Sequence, residues 1–347
     1  TEEQRALQQV FHDFAERELR PRARALDEAP EFPRQAFLRA GELGFFGMRY
    51  PEPEGSACDV VSYVLAVEEL AWGDLAVAAA CTMQSLMGTW LVHRSAPADV
   101  KARLWPAAMR GEKIGAICMT EPGAGSDLFS IGTRAEPLGG GWQLTGQKTW
   151  VTSAPVADFF TVMARTGPKS LGAFLVEKGA AGLRVGRTIE KSGVRASLTS
   201  EVFFEATPAI ALGDPTDGAT ALREILAEIR VMTGALAVGV ARAAFEEARR
   251  WAHEREQFGK PIESFQAVQA HLADMAVDLE AARRLVHWAA WRSDQGLPNA
   301  TEAAMAKLFA SEAAARVCDR AARVGGSWGF AAESPLERYL RDVRFVR

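Results

Sequence analysis

Met119-Thr120-Glu121-Pro122-Gly123-Ala124-Gly125-Ser126-Asp127 stands where one kind of sequence gives way to another. Before it the chain is helical in texture. After it glycine turns become frequent and apolar residues alternate in the strand manner. The segment reads as a Gly-rich turn with hydroxyls at both ends. Such a turn offers backbone N–H groups and side-chain donors to an oxygen-rich ligand, although an ordinary turn explains it as well. Downstream, Gly146-Gln147-Lys148-Thr149-Trp150-Val151-Thr152 reads as a strand. Strand alternation places Trp150 and Thr152 on one face, an aromatic plane beside a donor. That pairing suits a flat heteroaromatic ring, with a core tryptophan as the plain alternative.

Outward from this junction, three domains are expected: 1–115 helical, 116–212 β, and 213–347 a helical bundle. In the first, Gln4–Leu26 is amphipathic through Leu7, Val10, Phe11, Phe14 and Leu19. Val60–Glu69 and Leu75–Leu91 are apolar helical runs, with a break at Gly73-Asp74 and a stop marked by Pro97 and Pro106. In the second, Trp142–Thr145 follows the turn Gly139–Gly141, and Phe159–Ala164, Ala173–Val176 and Glu201–Glu205 are short strands. In the third, Phe265, Val268, Leu272, Met275, Leu279, Ala282 and Val286 form a narrow seam for helix packing. Ala303–Val317 is a further Ala-rich helix.

Composition removes several function classes. The 347 residues carry 40 Lys+Arg against 44 Asp+Glu, a net charge of −4. Mild acidity without a basic cluster argues against nucleic-acid binding. Hydrophobic residues at 48% exclude intrinsic disorder. Cys58, Cys81, Cys118 and Cys318 form no CxxC pair, so free thiols in a reducing, cytoplasmic setting are expected. The longest near-apolar stretch is read as Val231–Val240, short of the ~20 residues of a membrane span. No membrane association is expected. The chain begins at Thr1 with no Met and no apolar leader, which suggests trimming.

Three motif matches fail. Gly325-Gly326-Ser327-Trp328-Gly329 fits GxSxG, but a helix precedes it and no histidine follows His287. It reads better as a helix end where glycines let something approach the backbone. His253-Glu254 begins like HExxH, but residue 257 is Gln, and no metal site is expected from the five scattered histidines. Gly167-Pro168-Lys169-Ser170 lacks the P-loop core.

In order and spacing, the 119–127 and 146–152 segments resemble the acyl-CoA dehydrogenase family of flavoproteins. The resemblance continues through Lys191-Ser192-Gly193-Val194-Arg195-Ala196-Ser197, similar to K-x-G-x-R-x-S. Glu254–Ile262 is similar to E-R-x-x-F-G-x-P-I, with Gln266 and Leu272–Met275 following. Gly325–Phe330 and Pro335–Asp342 are similar to G-G-x-G-[FY] and P-x-E-R-x-x-R-D. These blocks run over nearly the whole chain.

The resemblance implies an N-terminal helical domain, a middle β-barrel-like domain and a C-terminal four-helix bundle. It implies FAD-dependent α,β-dehydrogenation of an acyl thioester, carried by CoA or a carrier protein. Ile117, Met119, Thr120, Gly125 and Ser126 would border the flavin and its pyrophosphate. Trp150 would pack on the isoalloxazine, with Thr152 near its reactive nitrogen. Arg255, Phe258, Gln266 and the Gly325-Gly326 backbone would reach the FAD of a neighbouring subunit, which implies a homo-oligomer, a tetramer in most of the family. Ser126, Glu228 and Arg230 would meet the substrate. An electron-transfer flavoprotein is the expected acceptor.

The chain also departs from the family pattern. The usual base is a Glu shortly after the R-D motif, and it is expected just beyond Arg347. A minority place it directly before an arginine, here Ile229 before Arg230. Glu228 is the weak candidate within the chain, turned ~100° away on a helix. Ser153, Ala322 and the loop expected at Ala206–Ile210 depart as well, suggesting a specialised biosynthetic branch. The alternatives to a dehydrogenase are a flavin monooxygenase on the same fold, or a silent thioester-binding homologue.

Overall fold

The computed structural model describes residues 1–347. Thr1 opens α1 (Glu2–Phe14) with a capping box, its side chain accepting from Gln4 N. The amphipathic period of Gln4–Leu26 does not make one α-helix. A π turn over Ala15–Leu19 and a 3₁₀ turn over Arg20–Arg22 precede α2 (Ala23–Glu28), because Pro21 has no N–H to continue the ladder. α3 (Arg34–Glu42) follows. Asp59 caps α4 (Val60–Gly73), and Asp74 caps α5 (Leu75–Thr82). A Cβ on Gly73 would lie 2.9 Å from that of Ala15, so glycine is what allows the two segments to touch there. A π turn (Met83–Gly88) leads to α6 (Trp90–Ser95). Pro97 starts rather than stops α7 (Ala98–Met109), and Pro106 lies inside its last turn, where its missing N–H removes one ladder bond without ending the helix.

The reading of Val231–Val240 as the longest apolar run is corrected by Leu75–Ser95. That stretch has the length and apolarity of a membrane span, but 83% of its apolar window is buried inside the protein. It is a core element of the helical layer.

The β unit contains β1 (Gly115–Cys118), β2 (Arg134–Leu138), β3 (Gly141–Thr152), β4 (Phe159–Gly167), β5 (Ser170–Glu177), β6 (Leu183–Thr188) and β7 (Thr199–Ala211). The pairings β4–β2, β2–β3, β3–β7, β7–β5 and β5–β4 close a ring, with β1 on β4 and β6 on β7. A closed ring leaves few free strand edges. Ala206–Ile210, expected as a loop, continues β7: Thr207, Pro208 and Ala209 pair with Leu144, Gln143 and Trp142.

α8 (Gly218–Glu254, 37 residues) begins the C-terminal bundle. A hairpin of β8 (Glu256–Gln257) and β9 (Lys260–Pro261) turns into α9 (Gln266–Asp294), followed by α10 (Ala300–Gly325) and α11 (Pro335–Asp342). Met275, Leu279, Ala282 and Val286 of the seam are buried, while Phe265, Val268 and Leu272 are half-buried. One continuous apolar core joins α1, α4 and α5 to α8, α9 and α10, and a second fills the barrel.

Candidate flavin and thioester site

The Met119–Ser126 turn leaves the end of β1 and closes on itself, Glu121 and Ala124 exchanging backbone bonds of 2.9 and 3.1 Å. Thr149 N donates to Thr120 O at 2.9 Å. Lys148 Nζ donates to Met119 O at 2.9 Å and lies 2.8 Å from Glu121 Oε1. Glu121 also accepts from the N–H groups of Gly132 and Thr133. Burial opposes the charge on Glu121, but the ammonium and these N–H groups outweigh it and hold the carboxyl below its usual range. Sequence reasoning missed this pair. Its one visible signal was a lysine inside a strand that would otherwise present only uncharged side chains. Around the anchored turn, Ile117, Met119 and Thr120 are half-buried, whereas Gly125 and Ser126 are exposed. A Cβ at Gly123 or Gly125 would meet nothing within 4 Å, so the turn leaves space for a ligand to approach its backbone.

The strand beyond is not regular. The β3–β7 register shifts between Lys148 and Val151, and Trp150 adopts φ +57° with 57% of its surface exposed. A bulge of this kind re-aims a side chain. Simple alternation is therefore the wrong reason for placing Trp150 beside Thr152, yet both line one cavity of ≈ 400 Å³. Its wall continues through Glu190–Val194, Ser197, Thr199, Arg341, Arg344 and Phe345. Thr152 stands opposite Thr199. Lys191 Nζ donates to Ser197 O at 2.8 Å and contacts Thr199 Oγ1 at 3.3 Å, and burial lowers its pKa to about 8. Asp342 accepts from Val194 N at 2.6 Å, which fixes this loop on the C-terminal segment. Burial, with Asp74 nearby, raises the Asp342 carboxyl to about 7.

The turn residues Ile117, Met119, Thr120, Gly125 and Ser126 do not line this cavity, and neither do the expected flavin residues of the C-terminal unit. Arg255 ends α8, exposed and without a side-chain bond. Phe258, at φ +54° in the hairpin, is 93% exposed. Gln266 is the exposed first residue of α9. Gly325 closes α10, and Gly326 has φ +59° with open space where a Cβ would be. All five sit on the bundle, whose α9 and α10 expose Val277, Trp288, Trp291 and Leu308.

Glu228 is elsewhere again. Its Oε1 accepts from Arg49 Nε at 2.5 Å, and Arg49 also donates to Cys58 O. The pair ties α8 to the N-terminal helices, and Glu228 is not part of the cavity wall. Arg230 is half-buried and makes no side-chain hydrogen bond or ion pair.

An exposed aromatic face, a hydroxyl beside it, a cationic rim and an open glycine turn fit a flat, anionic dinucleotide such as FAD. The comparisons agree. The model of the acyl-CoA dehydrogenase N-terminal domain matches residues 1–112, the middle domain 116–207 and the C-terminal domain 216–347. Benzylmalonyl-CoA dehydrogenase of Aromatoleum aromaticum is 56% identical over 352 residues, with 100% of this chain and 93% of the relative covered. A glutaryl-coenzyme A dehydrogenase–glutaryl-CoA complex matches at TM-score 0.96 and 34% identity, over 100% of this chain and 91% of that one. An FAD complex of PigA matches at TM-score 0.96 and 27% identity, over 100% and 93%.

Proposed function

The chain belongs to the acyl-CoA dehydrogenase family, and from that premise we propose that its substrate is an acyl-CoA with a carboxylate on the α-carbon and an aryl group on the β-carbon. It is an FAD-dependent oxidoreductase that dehydrogenates an acyl thioester across its α and β carbons. The observation that carries the substrate class is the 56% identity to a benzylmalonyl-CoA dehydrogenase. In this reading the units 1–115, 116–212 and 213–347 meet around the flavin.

Bound flavin supplies the acceptor for the β-hydride. Trp150 packs on the ring and Thr152 donates beside it. Thr120, Gly125 and Ser126 hold the pyrophosphate side, with Ile117 and Met119 behind them. Arg255, Phe258, Gln266 and the Gly325-Gly326 backbone reach across to a second copy, whose contact also covers the apolar face of α9 and α10. Ser126 and Arg230 face the thioester end of the substrate. A homotetramer in the cytoplasm, passing electrons to an electron-transfer flavoprotein, completes the reading.

The α-carbon must also carry an electron pair as the hydride leaves. A carboxylate base achieves this by removing the α-proton. Glu228 is committed to Arg49 and is a poor candidate for that role. On an α-carboxylated thioester, loss of CO₂ supplies the same electron pair without a base. Anaerobic bleaching of the flavin, with CO₂ measured alongside, tests the proposal. A benzylmalonyl-type thioester, whose benzylic CH₂ is the β-carbon, should bleach it at least tenfold faster than butyryl-CoA. Equal rates with the two would overturn the substrate class.

A further inference from the structure

We propose that Lys191 is a positioning residue that places a fixed positive charge against the flavin and raises its reduction potential. This rests on the reading of the Trp150–Thr152 cavity as the flavin site. A flavin gains electrons on reduction, so a nearby charge favours the reduced form, and charge at the ring is a recognised control of flavin electronics.

The geometry singles out this lysine from the other charged groups of the cavity wall. Lys191 Nζ is held by Ser197 O at 2.8 Å and by Thr199 Oγ1 at 3.3 Å, and both residues line the same cavity. Thr199 pairs with Thr152 across the β3–β7 ladder, so the ammonium is bound to the residue opposite the side chain proposed to touch the ring. No carboxylate neutralises it. Glu190, its neighbour in sequence, is exposed and makes no bond to it. Arg341, from the C-terminal segment, is already paired with Asp27 and Glu337. Arg344 is exposed and unbonded, so solvent and salt screen it. β3 brings Trp150 and Thr152, which carry no charge, while its Lys148 is bound to Glu121. Burial is the named cause of the shift at Lys191, which lowers it to about 8 and leaves the ammonium in the majority at neutral pH. A half-buried charge held without a counter-ion is screened less than one in bulk water.

The test is the reduction potential of the flavin-loaded protein, measured by equilibration with a reference dye. Lys191→Met keeps the stem and removes the charge. It should lower the equilibrium constant for reduction about tenfold, close to 30 mV for a two-electron couple. Lys191→Arg should restore most of it. A flavin-loaded Lys191→Met protein with an unchanged potential would overturn the proposal. Should that variant fail to fold, the wild type gives the same information. Reduction raises the affinity of Lys191 for its proton, so up to about half an additional proton is taken up on reduction just above pH 8. A wild-type profile lacking that steeper segment also overturns it. Trp150→Phe separates the underlying reading. If the visible spectrum of the bound flavin does not change, the flavin lies elsewhere, whatever Lys191 does.

Discussion

Lys148 Nζ lies 2.8 Å from Glu121 Oε1, with the lysine side chain wholly buried and the carboxylate 9% exposed. One end of this pair stands in the Gly-rich turn and the other in the strand that carries Trp150. The two segments expected to hold the flavin are therefore a single rigid piece, joined by charge as well as by the Thr149–Thr120 backbone bond.

Removing one partner of a buried pair leaves the other uncompensated, at a cost of roughly 3–5 kcal/mol. Lys148→Met should therefore lower the thermal midpoint and also loosen FAD, since the turn loses its bond to Met119 O. Adding Glu121→Gln should recover part of the stability, because no unpaired carboxylate then remains buried. Thermal unfolding and flavin release on dilution check both. A Lys148→Met protein that unfolds at the wild-type temperature would show the pair to be energetically idle.

Asp342 gives a pH prediction of known sign. Its folded value, about 7, lies above the ordinary 3.8, so between those values the native state holds a proton that the unfolded chain releases. The stabilisation is complete below about pH 4 and lost as the pH rises through about 7. Each unit is worth ~1.4 kcal/mol, so a loss on the order of a few kcal/mol is expected across the window. Asp342→Asn keeps an acceptor for Val194 N and does not titrate. Its thermal midpoint should fall less than the wild type's between pH 5 and 7.5. Parallel profiles for the two proteins would contradict the assignment.

What the sequence made legible was mostly local. The break at Gly73-Asp74 was readable because an aspartate caps the helix that follows. The turn at 119–126 was readable because glycines and hydroxyls mark it. Leu75–Leu91 was readable as an apolar helical run, but its standing as the longest one was masked by Thr82, Gln84 and Ser85, polar residues whose hydroxyl and amide groups bond to backbone carbonyls. The bulge at Trp150 was hidden because a register shift leaves no compositional trace. The partner of Glu228 was beyond reach for another reason: Arg49 is 179 residues away, and only folding brings them together.

That long-range pair leads to a third expectation. If Glu228 were the base, its conversion to glutamine would cost the ~10²–10⁴-fold that general base catalysis supplies. Bound to Arg49 and outside the cavity wall, it should instead matter for the joint between α8 and the N-terminal helices. Glu228→Gln should change the rate of flavin reduction at saturating substrate by less than about tenfold, while lowering the thermal midpoint. Stopped-flow reduction of the loaded protein decides it. A loss of a hundredfold or more with the fold intact would return Glu228 to the role of base.

The last prediction concerns the residues that the single chain leaves without a partner. Phe258 is 93% exposed in a strained left-handed conformation, which a lone monomer has no reason to maintain. Arg255, just before it, is exposed with no carboxylate to hold it. Both lie at the end of α8, on the bundle whose outer helices also expose Val277 and Trp291. Exposed apolar area of this kind marks a protein interface. A guanidinium can bind a phosphate group in a bidentate fork, which lysine cannot reproduce. Arg255→Ala should therefore loosen FAD and subunits together, and Arg255→Lys should rescue assembly better than flavin affinity. Phe258→Ser should weaken assembly first, with flavin loss following as copies separate on dilution. Sedimentation analysis read at the flavin and protein wavelengths follows both quantities at once. A monomer that retains a full complement of FAD would break the link between the two, and the site would then lie within one chain.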